Sequence, residues 1–113
     1  MGGGAAWDYA GKYASKIAAI APVCGASSTT EAKAKIIANN KLPVWAFHND
    51  GDDRVSVNHT LGYINMLNNM NMTPKAKMTI YAAAGHDAWS KAYSLTYKEN
   101  DMNVYEWMLQ YHR

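Results

Sequence analysis

The amino-acid sequence predicts one α/β domain with three parallel strands and crossover helices on both faces of the sheet. Three observations carry that expectation. Short apolar runs without polar alternation occur at residues 16–24 (KIAAIAPVC), 42–47 (LPVWAF) and 78–84 (MTIYAAA), the pattern of strands buried on both faces. Each run is followed by a segment with helical spacing, so successive strands return in the same direction through right-handed crossovers. Two runs break abruptly into polar loops, HNDGDDR and GHDA. In an open parallel sheet, ligands bind beyond the carboxyl ends of the strands.

Taken in order, the chain opens with MGGG. A helical pattern of Ala5, Ala6, Tyr9, Ala10 and Tyr13 comes next, so the chain is expected to start inside a helix whose first N–H groups face whatever precedes them. Residues 17–23 form the first strand, ended by Pro22 and Gly25, and GASSTT is a loop. TEAKAKIIANN carries good helix formers with Ala32, Ile36 and Ile37 on one side and an Asn-Asn stop. The second strand has Pro43 near its start, where a missing donor is tolerable. Beyond its polar loop, Ser56 or Asn58 caps a helix with Leu61, Ile64, Met66 and Leu67 as apolar positions, and NNMNMTPKA closes it. After the third strand, residues 89–97 and 102–111 read as helices separated by KEND, with Val104, Trp107, Met108 and Tyr111 on one face of the last.

At 113 residues the chain fits a single domain with one hydrophobic core. Apolar residues at 49% and charged residues at 18% place it among globular proteins. Eleven basic and nine acidic side chains give +2 with no basic run, so nucleic-acid and membrane-surface partners are not expected. Cys24 is the single cysteine, which rules out an intrachain disulfide. No stretch approaches the roughly 18 apolar residues of a spanning helix. MGGGAAWDYAGKYASK lacks the charged start and apolar centre of a signal peptide, and the localisation is not legible.

The residues with most chemical promise sit in the two polar strand-end loops. His86 comes after a glycine and an apolar strand pattern and leads into an aromatic helix, while Asp52 lies in the preceding strand-end loop. A parallel sheet brings both to one edge, where the carboxylate can accept a hydrogen bond from one imidazole nitrogen and leave the other to act as a base. A nucleophile is the third member such a relay needs. Asp50 and Asp53 are rivals for the acid, and Asp87 is a helix-start cap. Trp89, three residues after His86, either lines a substrate pocket or packs in the core. His48, His59 and His112 read as ordinary. Cys24 comes after a buried strand, which suits an inert thiol better than a nucleophile. MGGG has no accompanying strand or Lys-Ser/Thr to make it a phosphate cradle. No spacing resembles a metal motif, and neither metal nor cofactor is expected.

These residues resemble a known family, the serine esterases of the α/β-hydrolase fold, especially carbohydrate esterases and polyhydroxyalkanoate-depolymerase-like enzymes. MGGGAAWDYA resembles the segment immediately after the serine of the family's G-x-S-M-G-G nucleophile elbow. FHNDGDDRVSV resembles its HGxxDxxVP aspartate loop, GHDAWSKAY its histidine loop, and NVYEWMLQYHR its closing helix. The resemblance runs nearly end to end, and implies a partial α/β-hydrolase in which Asp52 is the triad acid and His86 the base. Met1 then falls one residue after the nucleophile, at the position whose backbone N–H donates to the oxyanion. Asn49, Asp53 and Ser56 depart from the family's loop pattern but leave Asp52 and Val55 in register.

The resemblance implies the C-terminal half of a carboxylic-ester hydrolase whose serine lies outside these 113 residues. Such a chain is expected to be inactive alone, with an ester as substrate of the whole enzyme. The alternative is a non-catalytic small α/β binding or interaction domain derived from a hydrolase. Either way, the first strand, residues 17–23, is expected to leave an unpaired apolar edge through which the chain self-associates.

Overall fold

The computed structural model describes residues 1–113. Its sheet is a parallel pair, β1 (Trp45–Gly51) beside β2 (Lys77–Ala84), joined through helix α3 (Asn58–Asn69). Before the sheet come α1 (Gly2–Tyr13), a short 3-10 turn at Ala14–Lys16 and α2 (Glu31–Asn39). After it come α4 (Trp89–Ala92) and α5 (Val104–Met108). The predicted α/β class with parallel strands and helices on both faces is the observed one.

The first apolar run departs from the expectation of a third continuous strand. It lies parallel to β1 but touches it through two isolated bridges, Ile20 with Val44 and Val23 with Phe47. The cause is Pro22. Ile20 donates to Pro43 O and accepts from Trp45 N, Phe47 N donates to Pro22 O, and Cys24 N donates to Phe47 O. The bond that would complete this ladder runs from residue 22 to Trp45 O, and proline has no N–H to give. The run is a strand in direction and place, with one rung missing.

Alternation along β1 divides the interior into two clusters rather than the single expected core. Val44 and Ala46 face one side, where they meet Ile20, Trp7 and Ala10 of α1, Ala34 and Ile37 of α2, and Tyr63, Ile64 and Leu67 of α3. Trp45 and Phe47 face the other, against Tyr81, Val23, Ala88, Ala92 of α4, and Val104 and Trp107 of α5. In α2 the inward stripe is Ala34 and Ile37; Ala32 is exposed. Trp7 stacks on Tyr63 at 4.0 Å and 3° between planes, fixing α1 across α3.

The two C-terminal helices are shorter than their sequence pattern. Past Ala92, the Ser94 hydroxyl accepts from Thr96 N–H at 3.2 Å, a local bond that competes with helix continuation. Asn100 and Asp101 then take positive φ, turning the chain into α5. That helix opens with a capping box: Asn103 accepts from Glu106 N–H, and the Glu106 carboxylate accepts from Asn103 N–H.

The glycine cluster has a packing role. Gly3 lies against the backbone of Val23 and Gly25, and Gly4 against Ala26, where an added Cβ would stand 2.7 Å from Ala26 O. Side chains there would push α1 off the first run. Gly2 faces open space. Gly3→Ala is therefore expected to destabilise the domain by about 1–3 kcal/mol through overpacking, while Gly2→Ala leaves it unchanged or slightly more stable. Paired urea unfolding curves check this, and equal midpoints for the two variants would contradict the packing.

Candidate active site

The site is assembled where β1 and β2 end. The pairing runs in register from Trp45 with Lys77 to Asn49 with Tyr81, then shifts so that Gly51 meets Ala84. One extra residue in β2 makes a bulge there, and a Cβ on Gly51 would lie 2.9 Å from Ala83 O. Gly85 N–H donates to Gly51 O at 3.1 Å, so the next residue on each strand end, Asp52 and His86, emerge side by side. Gly85 has φ +84, a left-handed conformation that glycine adopts without strain. It turns His86 back toward the first loop.

Asp52 and His86 are in direct contact. Asp52 Oδ2 accepts a 2.7 Å hydrogen bond from His86 Nδ1, and Asp52 Oδ1 accepts from the N–H groups of Arg54 and Val55, each at 2.9 Å. The Asp52 side chain has no solvent exposure, and that of His86 has 20%. Burial pushes the Asp52 carboxyl upward; the Val55 N–H, the His86 imidazole and the Arg54 N–H outweigh it and hold it at about 2. An ionised carboxylate facing Nδ1 fixes the proton there, leaving His86 Nε2 free to take a proton from a substrate or nucleophile. The rivals are placed elsewhere: Asp50 is exposed and accepts from Ala83 N–H, and Asp53 is exposed.

Neighbouring residues hold this pair from every side. Asn49, where the resembled motif has glycine, is buried and donates its amide hydrogens to Gly85 O at 3.2 Å and Asp87 O at 3.1 Å. It bridges from β1 across both flanks of His86. Asp87 accepts from Ser90 N–H at 2.9 Å, the helix-start role expected of it. Trp89 is 42% exposed and stands edge-on to the His86 ring at 5.4 Å, so it is not a core residue. Cys24 has positive φ and gives its thiol hydrogen to His86 O at 3.0 Å; burial pushes the thiol up, which keeps it protonated and unreactive.

One placement was not foreseen. His48, read from sequence as ordinary, is fully buried beneath Asp52, with Nε2 3.3 Å from Asp52 Oδ2. The start of α1 is linked to the same corner, because Gly3 packs on Val23 and Gly25 while Cys24 between them bonds the His86 loop. Met1 is exposed at that helix start. His59 lies apart, its Nδ1 3.0 Å from Ser27 O, and His112 is exposed.

Cys24, Asp52 and His86 each bring one potential metal-ligand atom within 4.8 Å of the others, but Asp52 Oδ2, His86 Nδ1 and the thiol are already joined in hydrogen bonds. None of the surface cavities is lined by Asp52 or His86. The largest, about 680 Å³, lies by Asn39, Lys41 and Met70 to Thr73, at the opposite end of the strands.

No family model and no curated protein matches the chain in sequence. Solved structures do match in shape. A thermostable esterase superposes with a TM-score of 0.73 at 23% identity, covering 99% of this chain and 29% of its own. A Klebsiella pneumoniae protein assigned as a dienelactone hydrolase superposes with a TM-score of 0.55 at 19% identity, covering 86% of this chain and 41% of its own. The fold is a partial α/β-hydrolase fold. The chain spans less than half the length of either structure it matches.

Because Asp52 is lower in the fold than the 3.8 of a free aspartate, its ionisation contributes stability that is present above about pH 4. That contribution is lost as the pH falls toward 2. A lowering from 3.8 to about 2 corresponds to about 2 kcal/mol. Asp52→Asn is expected to flatten the stability profile between pH 5 and pH 2 by this amount. Urea unfolding across that range checks it, and parallel profiles for the two proteins would contradict it.

Proposed function

We propose that residues 1–113 supply the acid and the base of a serine carboxylic-ester hydrolase, with Asp52 as acid, His86 as base and the nucleophilic serine outside these residues. The observation that carries this reading is the 2.7 Å bond from His86 Nδ1 to a fully buried carboxylate, with Nε2 on the outer side of the ring. The likeness in fold to an esterase over nearly all of the chain supports it.

In this reading His86 Nε2 takes the serine proton as Oγ attacks the ester carbonyl, and Asp52 stabilises the imidazolium. The proton passes to the leaving alcohol, and the same nitrogen then activates water to hydrolyse the acyl-enzyme. The Met1 N–H occupies the oxyanion-donor position at the start of α1, which packs through Gly3 on the segment that also bonds the His86 loop. Trp89 forms a wall beside the imidazole. The rest of the substrate site comes from residues beyond these 113, in keeping with the lack of a cavity around His86. The other reading, a non-catalytic binding domain, leaves a buried carboxylate and an oriented imidazole without a use.

The purified 113-residue chain is expected to hydrolyse a short-chain p-nitrophenyl ester no faster than its Asp52→Asn variant. A chain extended through the upstream reading frame to a Gly-x-Ser is expected to hydrolyse it with a rate that falls about 10⁴-fold on Asp52→Asn. An extended chain indifferent to Asp52 and His86 would overturn the reading.

We also propose that the chain self-associates through the outer edge of residues 17–23. Ala19 and Ala21 make no backbone hydrogen bond there, which leaves an apolar edge open for pairing. Sedimentation is expected to give a dimer that Ala21→Pro weakens; a monomer at high concentration contradicts this.

A further inference from the structure

We propose that His48 is a positioning residue for Asp52, donating its Nε2–H to the Val55 carbonyl and so fixing the residue whose own N–H holds the carboxylate. The inference rests on the acid–base reading of Asp52 and His86, and concerns what holds the acid in place. His48 lies on β1, on the face toward α3, and its side chain has no solvent exposure. Its Nδ1 is 2.8 Å from Thr60 Oγ1 on α3. Its Nε2 is 2.8 Å from Val55 O and 3.3 Å from Asp52 Oδ2.

These surroundings decide where the imidazole carries its hydrogen. Both groups around Nε2, a carbonyl and an ionised carboxylate, can only accept, so the N–H sits on Nε2. Nδ1 is then an acceptor, and Thr60, whose hydroxyl can donate, completes it. Val55 links the two residues: its O accepts from His48 and its N–H donates to Asp52 Oδ1, while Asp52 Oδ2 lies 3.3 Å from the same His48 nitrogen. Val55 cannot move its N–H away from the carboxylate without straining the bond from His48. The titratable groups facing Asp52 are His86, His48 and Cys24. His86 bonds the carboxylate from the partly open side, and His48 lies beneath it.

The test uses the 113-residue chain labelled with ¹³C and ¹⁵N. In the wild-type protein, imidazole ¹⁵N shifts are expected to show His48 protonated on Nε2 and bare on Nδ1; the reverse tautomer overturns the proposal without any variant. The Asp52 carboxyl ¹³C shift is then tracked on acidification. His48→Phe, which keeps bulk and deletes the donor, is expected to raise the Asp52 midpoint by about one pH unit, whereas His48→Gln, which restores an N–H, stays near wild type. A folded His48→Phe with an unmoved midpoint overturns the positioning role. His86→Phe in the same measurement separates the two inferences: if it leaves the Asp52 midpoint unmoved, the acid–base reading itself fails, whatever His48 does.

Discussion

A carboxylate held out of water is the constraint on which this corner of the molecule depends. An ionised side chain without solvent is tolerated only when its lone pairs are met, and Asp52 is met by the Arg54 and Val55 N–H groups and by His86, with His48 close beneath. Those donors come from its own loop and from the loop after β2. The two strands must therefore end side by side, and the loop after β1 must fold back over His48. Deleting one donor leaves a charge that the others satisfy less well; deleting the carboxylate leaves several donors facing nothing.

The fold meets this constraint with few parts. The parallel pair brings the two loops together, the bulge at Gly51 and the left-handed Gly85 aim them at each other, and Asn49 ties the His86 loop to β1 through two carbonyls. Two apolar clusters then hold the pair from opposite faces. Trp7 stacked on Tyr63 fixes the helices on the side of His48 and Thr60, and Trp45 with Phe47 seats the α4 and α5 side beneath the His86 loop. The glycines of α1 bring its first turn against Val23 and Gly25, next to the Cys24 thiol that bonds His86 O.

Much of this is legible in the sequence, for identifiable reasons. The apolar runs and the polar breaks after them give away the strands and the strand-end loops, because burial on both faces leaves no room for alternation. Asp52 and His86 are readable from their places after successive strands. Less legible is whatever depends on tertiary contact. Pro22 sits in an apolar run that reads as a strand, and only the observed ladder reveals the rung it removes. His48 reads as an unremarkable polar residue at a strand end, since nothing in HND tells that its ring turns inward to Thr60. Asn49 reads as a departure from a glycine pattern, yet it anchors the histidine loop. The Asn103 and Glu106 pair is different: its spacing of three is that of a capping box, a local signal that marks the start of α5 more sharply than the loop composition of KEND does.

The proposed chemistry rests on one oriented pair: an ionised Asp52 fixing the His86 hydrogen on Nδ1 and leaving Nε2 as the base. The most direct measurement is the imidazole ¹⁵N spectrum of His86 at neutral pH in the wild-type chain and in Asp52→Asn. A hydrogen on Nδ1 is expected, with a strongly hydrogen-bonded proton resonance that disappears in the variant. A hydrogen on Nε2 in the wild-type chain, unaffected by Asp52→Asn, would contradict it.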